Sequence, residues 1–313
     1  MKQIKPILLF SAVLFCMTAC KKSGTDNNTP VRYTKIEYTG ATYFSEARYH
    51  LAAAAAGNKI VFAAGRGSSL PPSKIVDIYD VSTNAWATAQ LSEARFFFSA
   101  AGTGNKIVFA GGYNGTAYSK TVDIYDVSAN TWAITQLSEI RSSAASAAAG
   151  NKIVFAGGYN GTAATKTVDI FDVSTNAWTT ALLSEARYFL SAAAAGNKIV
   201  FAGGSPAPGV ASKIVDIYDI STNAWTTTQL SEARFSLSAA AAGNKIVFGG
   251  GNTGVAYSKT ADIFDVSTNT WTTSLLGEAR ALLSAAGAGN KILFAGGQGT
   301  VPSKTVDIFT LSN

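Results

Sequence analysis

Six arginines recur at one spacing along the chain: Arg48, Arg95, Arg141, Arg187, Arg234 and Arg280. Each stands two residues after a glutamate, at Glu46, Glu93, Glu139, Glu185, Glu232 and Glu278. A guanidinium can hold a carboxylate through two parallel hydrogen bonds, and a nearby glutamate can move a proton, so a ring of such pairs could bind an acidic ligand and act on it. Aromatic side chains follow the arginines at Tyr49, His50, Phe96, Phe97, Tyr188 and Phe235, and later at Tyr113 and Tyr159, with an extra cation at Arg66. Rings beside cationic forks suit sugars or acidic peptides. The competing assignment pairs each repeated arginine with an aspartate or glutamate of the scaffold, as a tie between structural units. The pattern alone leaves both open.

The elements that position these groups are six copies of one unit. The turn Gly-Asn-Lys-Ile places its asparagine at Asn58, Asn105, Asn151, Asn197, Asn244 and Asn290, every 46 or 47 residues, and Trp86, Trp132, Trp178, Trp225 and Trp271 keep the same beat. Each copy reads as four short strands. Strand a is the alanine-rich run after the arginine, ending at a Gly-Asn turn that tolerates positive φ. Strand b, KIVFAGG, is apolar after its lysine and so should be covered on both faces. Strand c is TVDIYDV, and a Ser-x-Asn turn leads to strand d at the tryptophan. Alanine runs favour helix by propensity. Here the run is too short for a stable helix, and a strand beside a crowded axis needs small side chains.

A four-stranded unit with a period in the forties cannot bury both sheet faces alone, so the copies should stack radially as blades. The diglycines (Gly111-Gly112, Gly157-Gly158), the strand-c rings (Tyr79, Tyr125, Phe171, Tyr218, Phe264, Phe309) and the tryptophan that follows make the chain resemble the kelch repeats. That resemblance implies an all-β, six-bladed kelch-type β-propeller over residues 31–313, with four antiparallel strands per blade and repeats starting near 48, 95, 141, 187, 234 and 280. Blade 1 departs from it, with Ala64-Gly65 in place of the diglycine. The last copy ends at VDIFTLSN without a tryptophan strand, whereas VRYTKIEYTG (31–40) precedes the first Ser-Glu-Ala-Arg with no strand c before it. Residues 31–42 are therefore expected to supply strand d of the last blade, with Tyr38 one residue from the tryptophan register. Such closure removes open sheet edges.

Residues 1–19 read as a signal peptide: a basic start, an apolar run too short to span a membrane, then small residues. Cys20 directly after Thr18-Ala19 resembles a bacterial lipoprotein signal, which would make Cys20 the lipid anchor; an ordinary signal with a chance cysteine is the alternative. Residues 20–30 then form a lipid-anchored tether. The resemblance implies a Gram-negative envelope. Lys21 in place of aspartate favours the outer membrane and leaves the side it faces open.

The two cysteines, Cys16 and Cys20, both precede the repeats, and His50 is the one histidine. Cleavage before Cys20 would remove Cys16 and leave one cysteine, so no disulfide is expected in the mature chain, and the repeats lack the ligands for a zinc or iron–sulfur set or for the two-histidine copper site of kelch oxidases. No phosphate-binding or dinucleotide fingerprint occurs, so no metal or cofactor is expected. A net charge of +6, spread evenly, gives no nucleic-acid footprint. The expected assembly is a monomer that touches the membrane only through its lipid.

Variation among the copies gathers in two places. After each arginine the letters read YHL, FFF, SSA, YFL, FSL and ALL, and after strand b they read RGSSLPP, YNGTAY, YNGTAA, SPAPGVA, NTGVAY and QGTVP. Alternating strand directions put the d–a and b–c connections on one face. A constant scaffold with one diversified face reads as a binding surface, although drift also varies loops. The expected function is a non-catalytic envelope binding module that recognises a glycan or a protein partner on that face. Two other readings stay open. A resemblance to six-bladed envelope mutarotases of sialic acid implies Arg and Glu at the channel mouth as carboxylate clamp and acid/base. A purely structural propeller needs neither.

Overall fold

Alternation along strand b explains how the copies stack. In blade 2, Ile107 and Phe109 pack toward blade 1, among Val61, Val76 and Ile78, while Val108 and Ala110 pack toward Ile153, Phe155 and Phe171 of blade 3. Both faces of the strand are thus core, which is why it carries no polar residue after its opening lysine, and each fully buried Val or Phe contributes roughly 1.5–3 kcal/mol. The computed structural model describes residues 41–67 and 71–312, and all regular structure in them is β-strand. Among the described residues there are six antiparallel sheets, five of four strands in chain order from a to d and a last of three, from a to c. Blade 1 runs Ala52–Ala56, Lys59–Arg66, Pro72–Asp80 and Ala85–Gln90. The architecture is a six-bladed β-propeller.

The alanine runs are strands despite their helical propensity. In blade 3 Ala147 pairs with Val154 and Ala148 with Ile153. Their small size is a spacing requirement, because a methyl added at Gly102 would overlap the carbonyl oxygen of Ala55 in the neighbouring blade. Tryptophan closes the outer layer: the Trp132 ring lies 4.8 Å from Tyr125 and 6.0 Å from Phe109.

One hydrogen-bonded knot in each of blades 1 to 5 accounts for the near-invariance of the two turns on the opposite face. Asn58 Nδ2 donates to Asp80 Oδ1 (2.9 Å) and Ser82 Oγ (3.0 Å), and Lys59 Nζ pairs with Asp80. Hydrogen bonds from the lysine hold Asp80, Asp126, Asp172, Asp219 and Asp265 well below the usual carboxylate range.

Blade 6 is described as three strands. Val306 and Ile308 on its strand c are 50% and 59% exposed, where Val122 and Ile124 of blade 2 are 0% and 8% exposed. The strand expected to cover them, residues 31–42, lies outside the described residues except for 41 and 42, as do Tyr38, the signal, the tether and Cys20.

The second glycine of the strand-b ending is present in all six copies, and its geometry says why. Gly158 has φ +116°, and a Cβ there would stand 2.7 Å from the Ser142 carbonyl oxygen. Blade 1 tolerates Ala64 at the first position, with φ 50° and a β-bulge between Ala63 and Gly65. Gly158→Ala is therefore expected to destabilise the protein by about 3 kcal/mol, read as a lower denaturant midpoint. An unchanged midpoint would overturn this account.

Candidate functional site

The six repeated arginines are inside the protein. The side chains of Arg48, Arg95, Arg141, Arg187, Arg234 and Arg280 have 0% of their surface exposed, and each is ion-paired with a strand-c aspartate: Asp77, Asp123, Asp169, Asp216, Asp262 and Asp307 respectively. Arg187 shows what this does. Its backbone N–H donates to Thr165 O (3.1 Å) and its carbonyl accepts from Gly158 N (2.8 Å), both in blade 3. Its Nη1 donates to Gly203 O and Ile214 O (2.6 Å each), and its Nη2 pairs with Asp216, all in blade 4. One residue thus fastens two blades. The expectation of a cationic mouth fails for these six because no guanidinium surface is left for a ligand. Burial lowers the pKa of Arg95, Arg141, Arg187 and Arg234, the aspartate opposes that shift, and the guanidinium stays charged.

The glutamates are likewise engaged. Glu93 accepts from Ser119 Oγ (2.6 Å) and Asn114 Nδ2 (2.8 Å), tying the d–a connection to the b–c loop. Burial raises its pKa, but these hydrogen bonds outweigh it and hold the carboxyl below its usual value. A carboxyl so held is a poor proton donor at neutral pH.

The two variable zones lie side by side. The first residue after each arginine exchanges backbone hydrogen bonds with the residue after the diglycine, joining Tyr49 to Arg66, Phe96 to Tyr113, Ser142 to Tyr159 and Tyr188 to Ser205. Phe235 joins Asn252 and Ala281 joins Gln298 in the same way. The third residue turns inward, as Phe98, Leu190, Leu237 and Leu283 show.

Aromatic rings run continuously across four blades of this face. The order is Tyr49, His50, Phe97, Phe96, Tyr113, Tyr118, Tyr159, Tyr188 and Phe189, with successive centroids 4.4–5.6 Å apart. Arg66 sits at its start, with its guanidinium carbon 5.2 Å from the Tyr49 ring and 5.0 Å from the Phe96 ring. Its Nε donates to Tyr49 Oη (2.8 Å). Among the described residues it is the arginine without a carboxylate partner. Burial, then the Arg66 charge, holds His50 below its usual value, so it is a neutral ring at pH 7. Phe235, in blade 5, stands outside the run.

Pattern reading missed Tyr118, Phe189, Leu282, Ser143 and Ser236. The middle residue of each post-arginine triplet (His50, Phe97, Ser143, Phe189, Ser236 and Leu282) has φ between 52° and 55°. A non-glycine residue there costs roughly 1–2 kcal/mol. Their sharing of one position in every copy gave no signal, since a middle letter that is never glycine marks nothing unless its φ is known.

The kelch-repeat domain model described as KLHDC2/KLHL20/DRC7 matches residues 29–184, and the later copies repeat the matched sequence. No curated protein matches the chain. A six-bladed propeller with a variable, aromatic loop face defines a repeat-built binding scaffold. The chain belongs to the kelch-repeat family.

Replacing Arg187 by alanine is expected to cost about 3–5 kcal/mol, because Asp216 is left charged and buried. The double change Arg187→Met, Asp216→Leu should recover most of that loss in chemical denaturation. A single variant as stable as the parent would sink the blade-tie role.

Proposed function

We propose that this protein is a non-catalytic binding module that takes a protein partner on the face built by the d–a and b–c connections. The run of rings from Tyr49 to Phe189 carries this reading. Kelch domains typically bind protein partners, and Tyr, Phe and Arg are the residues that supply most of the energy at such surfaces. Arg66, stacked and without a carboxylate partner among the described residues, is suited to an acidic group of the partner. A glycan could stack on the same rings. The mutarotase reading loses its main support, because the repeated arginines are buried against aspartates and Glu93 is held as a carboxylate.

The test is a random-peptide display selection and a glycan panel, each run on the full chain and on Tyr113→Ala/Tyr159→Ala. The parent should select peptides, and the double variant should bind them at least ~10-fold more weakly at an unchanged melting temperature. Selection of glycans alone would replace the protein partner with a sugar, and binding of neither would remove the module reading.

The module is further proposed to sit in the cell envelope, exported and held by lipid on Cys20, on the outer membrane. Support comes from the order of basic, apolar and small residues before that cysteine. In a Gram-negative host, Cys20→Ala should lose palmitate labelling and move to the soluble fraction. Unlabelled parent protein would count against the anchor.

A further inference from the structure

Twelve non-glycine residues have positive φ among those described, and they fall into three groups. Five are the asparagines of the Ser-x-Asn turns: Asn84, Asn130, Asn176, Asn223 and Asn269. One is Ala64. The other six are the middle residues of the post-arginine triplets. Wherever the left-handed conformation is only a turn, this chain uses the residues that adopt it freely: glycine at every Gly-Asn turn and asparagine at every Ser-x-Asn turn. At the triplet it never does. There it holds Phe97, Phe189, Leu282 and His50, all bulky and exposed, with Ser143 and Ser236 between them.

The backbone of these residues is fixed from blade to blade. Ser143 N donates to Phe97 O (2.9 Å), Phe189 N to Ser143 O (3.2 Å), Ser236 N to Phe189 O (2.9 Å) and Leu282 N to Ser236 O (3.0 Å). The His50 ring lies 4.4 Å from Phe97 and continues the series into blade 1. These residues immediately precede the innermost strands, so the series rims the channel on the loop face. Packing accounts for these side chains only in part: Phe97, Phe189 and Leu282 are 41%, 40% and 70% exposed. Strain held in place by surrounding bonds, at bulky residues that leave this much apolar surface in solvent, points to contact with something outside the chain.

We propose that these six left-handed positions form the selectivity ring of the binding face, and that it receives an apolar side chain of a protein partner inserted at the propeller axis. This rests on the protein-binding reading above. The chemistry of the rim favours an apolar tip over a sugar: two phenyl rings, a leucine and a neutral imidazole against two serine hydroxyls. The hydrogen-bonded backbone fixes where each side chain starts, so exchanging one letter changes the contact without rebuilding the loop. That matches the free exchange of Phe, Ser, Leu and His at this position beside an unvarying arginine.

Glycine is the informative substitution, because it removes the side chain and relieves the backbone at once. The full chain and its Phe97→Gly/Phe189→Gly/Leu282→Gly variant are compared on peptides taken from a random display library by the parent protein. The expected result is a loss of at least ~10-fold in affinity with a melting temperature no more than ~5 °C below the parent. Phe97→Ala/Phe189→Ala/Leu282→Ala should lose affinity equally but melt below the glycine variant. Equal peptide affinity in parent and glycine triple would overturn the ring while leaving the binding face intact. A drop of more than ~5 °C in the glycine triple would make the side chains packing elements instead. If the parent selects no peptide at all, the protein-binding reading fails first and the ring falls with it.

Discussion

A buried guanidinium that belongs to two blades at once is the constraint around which this propeller is arranged. The Arg187 backbone is held by blade 3 and its side chain by blade 4, and the same construction recurs at Arg95, Arg141, Arg234 and Arg280. A charge this deep is tolerated only with its counter-charge beside it, so strand c must present an aspartate at that height. Two neighbouring blades cannot slide without separating the pair. The geometry is not fully satisfied, since the Nε of each of the six arginines is buried without a hydrogen-bond partner among the described residues. An apolar replacement of similar volume could pack as well, so the pair is better understood as setting blade register than as maximising stability.

Other invariant features follow from that pair. The diglycine lets the arginine carbonyl of the next blade approach strand b, as Gly158 N does in donating to Arg187 O. The glutamate two residues earlier pins the b–c loop. With arginine, aspartate, glutamate and glycine all committed to blade contacts, few charged groups of the repeat remain for a ligand. The loop face is consequently defined by its uncharged letters, and by Arg66, which lies outside the repeat pattern.

This division separates scaffold from surface in a way that permits exchange. The backbone of the loop face is fixed by paired hydrogen bonds between the d–a and b–c connections, so the identity of the side chains there is free to vary. Aromatic residues occupy blades 1 to 4, and Ser, Asn, Gln and aliphatic residues occupy much of the remainder. A sixfold scaffold thereby carries an asymmetric face. Asymmetry is what a specific partner requires, because a symmetric ring would present the same contact in six orientations.

The sequence by itself determined the period, the four strands per copy, the position of each turn and the face on which variation gathers. These are local properties, legible because six near-identical copies show which letters cannot change. It also left the arginine–aspartate pairing as one of two open assignments, and only the tertiary structure decided it. The partners lie some 28 residues apart, and whether a charge faces its neighbour or the channel depends on how sheets stack. The left-handed rim was invisible for a related reason. Backbone φ at a phenylalanine or leucine leaves no mark in composition, and the hydrogen bonds that impose it come from the adjacent blade. Local pattern specified the blade, and contact between blades specified the geometry of the loop face.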